Sequence, residues 1–165
     1  MKRIVFALML MLIMTTLPVL EAQLGTGTFT FTLEGYTVQG QLANAMIHRG
    51  NIVTASMVVD DTLQTSMGGV PITGTGDWNG TVNGATLSGT VANVSGTVRA
   101  CIFLFFCGQA DYVGNGTWTG TITGSQGSGT FRGTITFTRS SFSQIPINHP
   151  IPISGSWDSS FQTSN

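Results

Sequence analysis

Two runs in the second half of the chain, residues 116–123 and 129–138, alternate strictly between apolar and hydroxylated positions. In the first, Trp118, Gly120 and Ile122 share one parity and Thr117, Thr119, Thr121 and Thr123 the other. In the second, Phe131, Gly133, Ile135 and Phe137 stand against Thr130, Arg132, Thr134, Thr136 and Thr138. A period of two is what a half-buried antiparallel strand imposes, because successive side chains point to opposite faces. A hairpin loop over Ser125–Ser128 would pair Gly124 with Gly129, Ile122 with Phe131 and Trp118 with Ile135. That register puts every apolar side chain on one face and the threonines on the other.

The same pattern runs through most of the chain. Thr26–Leu33 alternates Phe29, Phe31 and Leu33 with threonines, and Glu34-Gly35 turns it into a second strand over Tyr36–Ile47. His48–Asn51 reads as a turn, Ile52–Val59 as a strand closed by Asp60-Asp61, and Gly68-Gly69-Val70-Pro71 as a break. Trp78, Gly80 and Val82 lead into Asn83-Gly84, a favoured two-residue hairpin pair. That loop would set Val82 opposite Ala85 and Trp78 opposite Gly89. Further strands are expected over Thr97–Phe106, Asp111–Thr123, Gly129–Arg139 and Ile153–Phe161, with a proline-rich connection (Pro146, Pro150, Pro152) before the last. Gly-Asp-Trp-Asn-Gly-Thr-Val at 76–82 matches Gly-Thr-Trp-Thr-Gly-Thr-Ile at 116–122, and Gly155-Ser156-Trp157 echoes its start. A duplicated hairpin and a coincidence of strand chemistry both account for this. The expected fold is all-β, an antiparallel β-sandwich or a closed or partly open meander barrel of about 8–10 strands.

Lys2 and Arg3 precede an apolar run from Ile4 that reaches Leu20 with interruptions, and Ala22 follows. This is the layout of a secretory signal peptide, so residues 1–22 are read as a signal and 23–165 as one all-β domain. Beyond residue 22 the cations are Arg49, Arg99, Arg132 and Arg139 and the carboxylates Glu34, Asp60, Asp61, Asp77, Asp111 and Asp158. So sparse a set offers no basic stripe to neutralise phosphates, which argues against a nucleic acid partner and against contact with an anionic membrane.

Cys101 and Cys107 flank Ile-Phe-Leu-Phe-Phe. An unbroken strand would hold them about 20 Å apart at ~3.3 Å per residue. A disulfide, expected of a secreted chain with two cysteines, therefore requires the segment to bend into a loop. Its apolar tip either folds into the core, as apolar surface generally does, or stands out as a knob for a partner. A closed zinc site wants four ligands and histidine is scarce here, so the two cysteines are not read as metal ligands, and no metal or cofactor is expected. His48 and His149 fall in a turn and in the proline segment, without a nucleophile or carboxylate at a recognisable spacing. Asp60 and Asp61 are adjacent, so in a strand they point to opposite faces and do not form a catalytic pair. No enzymatic activity is expected.

Three Asn-x-Ser/Thr triplets, at Asn79, Asn93 and Asn115, are glycosylation acceptors wherever the host glycosylates. The leading functional expectation is a secreted, non-enzymatic extracellular or cell-surface protein, structural or adhesive, self-assembling through exchange of its first strand. The periplasm is a further location compatible with a signal peptide. A second reading is a small-molecule or glycan-binding barrel with Trp78, Trp118, Trp157 and Tyr36 lining its mouth. A third is an outer-membrane barrel with its apolar face toward lipid. Other copies of the chain and surface glycans are the partners these readings imply. The threonine arrays add the option of a flat lattice that binds polysaccharide or ice.

Overall fold

A computed structural model describes the backbone of residues 25–66, 68–102 and 106–164, and side chains within those spans apart from Ile102 and Phe106. The proposed signal region, residues 1–22, lies outside them. The order along the chain is β1 (Gly25–Leu33), β2 (Tyr36–His48), β3 (Ile52–Thr65), β4 (Gly68–Asn83), β5 (Thr86–Ile102), β6 (Phe106–Thr123), β7 (Gln126–Ser140), β8 (Pro150–Ser160) and β9 (Gln162–Thr163). Strands β1 to β8 form an antiparallel meander in which each pairs with its neighbour in sequence, and β1 also pairs with β8. The sheet is therefore a closed eight-stranded barrel, with β9 a short parallel addition beside the end of β2. Of the architectures the alternation permits, closure is the one adopted.

Closure requires tight coiling, and the inward-facing glycines allow it. Gly80 stands opposite Gly89, Gly74 opposite Gly96 and Gly120 opposite Gly129. A methyl group at Gly89 would collide with the Asn79 carbonyl and come within 2.6 Å of the Gly80 Cα. At these points the two backbones are closer than any side chain permits.

Aromatic rings with a polar hydrogen lie over these bare patches. Trp118 on β6 covers Gly89 and Gly80, and its Nε1 donates to the carbonyls of Asn79 (3.3 Å) and Thr90 (3.2 Å). Trp157 on β8 covers Gly120, two strands away, and donates to the Thr119 carbonyl (3.3 Å). Tyr112 on β6 covers Gly96 and Gly74, and its hydroxyl donates to the Thr73 carbonyl (3.1 Å). Each ring reaches across one strand to the next and hydrogen-bonds the main chain there, so no polar atom of the ring is buried without a partner.

Burial pushes the Tyr112 phenol up from 10.0 to about 12, because water no longer solvates the phenolate. The folded state thus holds the proton that the unfolded chain releases near pH 10. Its contribution is whole below pH 10 and is lost as pH climbs toward 12, a fall of about 2–3 kcal/mol. Denaturant midpoints measured from pH 9 upward should decline with this slope, and in Tyr112→Phe the decline should flatten. A wild-type midpoint independent of pH over that range would contradict the burial described.

The registers differ from those expected. β6 and β7 turn through Gly124-Ser125, pairing Thr123 with Gln126 and Trp118 with Phe131 rather than Ile135. β4 and β5 turn through Gly84-Ala85, pairing Asn83 with Thr86 and Trp78 with Val91 rather than Gly89. In both loops the first residue is a glycine at φ +61°, which suits a II′ turn. Relative to the expected pairing the slips are of four and two residues, which keep every side chain on its face. The two hairpins also correspond position by position at an offset of 40 residues: Trp78 and Trp118, Gly80 and Gly120, Gly84 and Gly124. This favours a duplicated hairpin unit. The third strand runs on through Asp60 and Asp61 to Thr65, and the expected break at Gly68–Pro71 is the paired start of β4.

Cys101 and Cys107 are directly opposed on β5 and β6, their Cα atoms 3.9 Å apart, and they form a disulfide. The bent alternative is thus the one adopted, since β5 and β6 stay paired through Cys101–Cys107 and Ile102–Phe106. Burial of the apolar tip concerns side chains outside the described residues.

Candidate functional site

Among the described residues the interior offers no binding chamber. Trp78 and Trp118 are 1% exposed and Trp157 3%, and their ring centroids lie 5.3–6.0 Å apart in one packed layer with Phe131. Beyond that layer Phe29, Phe31, Met57, Val94, Tyr112 and Ile135 surround a cavity of about 30 Å³, room for a single water. Tyr36 lies apart from the indoles, 39% exposed at the start of β2. These four aromatics therefore do not share a mouth. The expectation failed because alternation reports which face a residue occupies, not whether that face encloses space. With tryptophans on β4, β6 and β8 all pointing inward, the barrel fills itself.

The other residues singled out from sequence are scattered. Asn79, Asn93 and Asn115 are exposed, and Asn93, at φ +53° beside the β5 bulge, donates its amide to Asp77 (2.7 Å). His48 Nε2 lies 2.8 Å from Thr54 Oγ1, and Nδ1 3.3 Å from Ser164 Oγ. Both ring nitrogens thus face hydroxyls and tie the C-terminal segment to the barrel. His149 is exposed beside Pro150. The Asp61 carboxylate accepts from the amides of Gln39 and Thr62, both at 2.7 Å, and so satisfies β2 where its ladder with β3 ends at Gly40–Val59. Among the described residues no three His, Cys, Asp or Glu gather around a common point.

What the fold does assemble is an outer face. The hydroxylated parity of each strand points outward, and the registers align these residues in rows across the barrel. Thr90, Thr117, Arg132, Ser154, Thr32 and Thr37 follow one another from β5 to β2. Ser88, Thr119, Thr130, Ser156, Thr30 and Gln39 form the next row, and Thr86, Thr121, Ser128, Asp158, Thr28 and Gln41 the third. Rungs within a row are ~4.8 Å apart and rows ~7 Å apart, by the geometry of any sheet. A few pairs bond to one another, Thr28 to Asp158 (3.0 Å) and Thr30 with Ser156 (3.2 Å). Most of the hydroxyls face solvent.

A trough of about 860 Å³ runs over the first two rows, between Thr117 and Thr119 on β6 and Thr37 on β2. A second, of about 840 Å³, adjoins it at Thr32, Arg132 and Ser154 and extends toward Asn115 and Glu34. Hydroxyls both donate and accept, so such a surface offers complementary partners to a polyhydroxylated ligand. The individual threonine runs are readable in the sequence. Their alignment into rows is a product of register and closure. Comparisons of the chain with protein-family models, with curated proteins and with solved structures find no match.

Proposed function

We propose that this is a secreted, non-enzymatic extracellular or cell-surface protein of structural or adhesive role, which engages surface glycans through the outer face of its barrel. The observation that carries the reading is the three aligned rows of neutral hydroxyl and amide side chains from β5 to β2, with Arg132 and Asp158 as the only charges. Saccharide hydroxyls find complementary partners on such a surface at little desolvation cost, since nearly every group in it is uncharged. The disulfide suits an oxidising compartment, as does the signal-like start of the chain. A filled interior moves the contact from the barrel mouth to its outside.

The other readings lose support. A lipid-facing barrel carries its apolar residues outward, whereas Phe29, Val53, Ile72, Leu87 and Trp118 are buried inside this one. Exchange of β1 between copies would require a barrel missing a strand. Here β1 is paired on both edges within its own chain, so self-association through the outer face is the simpler route.

The reading predicts that residues 23–165 sediment with at least one of a set of insoluble polysaccharides. Thr30→Asp/Thr119→Asp/Thr130→Asp, which charges the middle row, should bind at least about tenfold more weakly while keeping the wild-type circular dichroism, because these side chains lie outside the core. Undiminished binding by the triple variant would remove the outer face from consideration.

A further inference from the structure

The trough is not uniformly neutral, and the placement of its charges narrows the ligand. Arg132 stands where the two hollows meet, with Thr117 and Ser154 beside it in the row and Thr130 and Thr134 on its own strand. Of the arginines beyond residue 22, Arg49 sits in the β2–β3 turn, Arg99 donates to Gln109 (3.2 Å), and Arg139 stands opposite Asp111 in the β6–β7 ladder. Of these arginines Arg132 alone lies in the trough, and among the described residues no hydrogen bond or ion pair engages its guanidinium. Asp158 of the third row lines neither hollow, and other acids mark the ends. Glu34 lines the far hollow, and Asp60 and Asp61 line a third hollow of about 510 Å³ that joins the first at Thr30.

We infer that Arg132 forms a carboxylate subsite, and that the ligand is an otherwise neutral glycan bearing a single acidic sugar, a uronic or sialic acid. This rests on the outer face being the glycan contact. A guanidinium offers a planar fork that grips a carboxylate through two hydrogen bonds, while the flanking threonines and serine meet the hydroxyls of the same and neighbouring sugars. The acids at the two ends repel a polymer charged at every residue. A neutral chain with one carboxylate near its middle meets Arg132 without bringing charge to Glu34 or Asp60.

Matched oligosaccharide pairs test this: sialyllactose against lactose, and glucuronic-acid-substituted xylotetraose against xylotetraose, titrated into residues 23–165. In at least one pair the acidic member should bind about tenfold more tightly, as a charge-assisted hydrogen-bonded pair provides, and the margin should shrink as salt is raised. Arg132→Gln should abolish the margin while leaving the melting curve unchanged, and Arg132→Lys should restore part of it. Equal binding of both members in every pair, or a preference that survives Arg132→Gln, overturns the subsite and leaves the outer-face reading standing. Absence of binding by all members overturns the subsite, and the outer-face reading then stands or falls on the polysaccharide sedimentation.

Discussion

Trp118→Ala is expected to lower the free energy of unfolding by about 4 kcal/mol, within the range for deleting a buried tryptophan. The indole is almost completely buried, packs 5.3 Å from Trp78 and 5.5 Å from Trp157, and covers the glycine pair at 80 and 89. Removing it opens a void against a backbone that has no side chains with which to fill it. The Asn79 and Thr90 carbonyls also lose a donor in a dry environment. Trp118→Phe keeps much of the packing and drops the donor, so about 1–2 kcal/mol is expected there. Denaturant unfolding followed by near-ultraviolet circular dichroism would measure both. A loss below about 1.5 kcal/mol for the alanine variant would mean that the aromatic layer does not hold the barrel together.

Gly89→Ala is the second large effect, and it acts by crowding rather than by a void. The added methyl would meet the Asn79 carbonyl, the Gly80 Cα at 2.6 Å and the Trp118 ring at 2.7 Å. Two of these are backbone atoms, which cannot rotate away, so β4 and β5 must separate and Trp118 must lift. Overpacking of side chains alone costs about 1–3 kcal/mol, and a backbone collision places this variant at about 3 kcal/mol or more. Gly129→Ala, the corresponding position forty residues on, meets the Thr119 carbonyl and the Gly120 Cα in the same way and should behave alike. Thr90→Ala, one residue from Gly89 but on the outer face, should change stability by less than about 0.5 kcal/mol. The contrast between adjacent residues is the informative measurement. An equal response at 89 and 90 would refute the close approach of the strands.

Much of this architecture is readable from side-chain parity. Trp118, Phe131 and Ile135 could be assigned to one face and Thr117, Thr130 and Thr134 to the other because alternation has no second interpretation in a strand. The disulfide was legible for a similar reason, since two cysteines separated by five residues meet only if the chain reverses between them. Pairing partners were less accessible. Moving β7 along β6 by four residues leaves every side chain on its face, so hydrophobic pattern cannot distinguish Trp118 opposite Phe131 from Trp118 opposite Ile135. Gly124 decides between them by accepting a positive φ as the first residue of a two-residue loop.

The amino-acid order by itself determined an all-β chain with apolar residues on one side of each strand, hydroxyls on the other, and few charges anywhere. Only the tertiary structure decided that β1 lies between β2 and β8, a contact spanning 130 residues between Thr28 and Asp158 for which no local pattern exists. It also decided that the tryptophans fill the barrel instead of lining an opening, because closure points the apolar faces of β4, β6 and β8 at one another. Local sequence sets which way a side chain points. What it then meets depends on strands distant in the chain, brought together when the sheet closes.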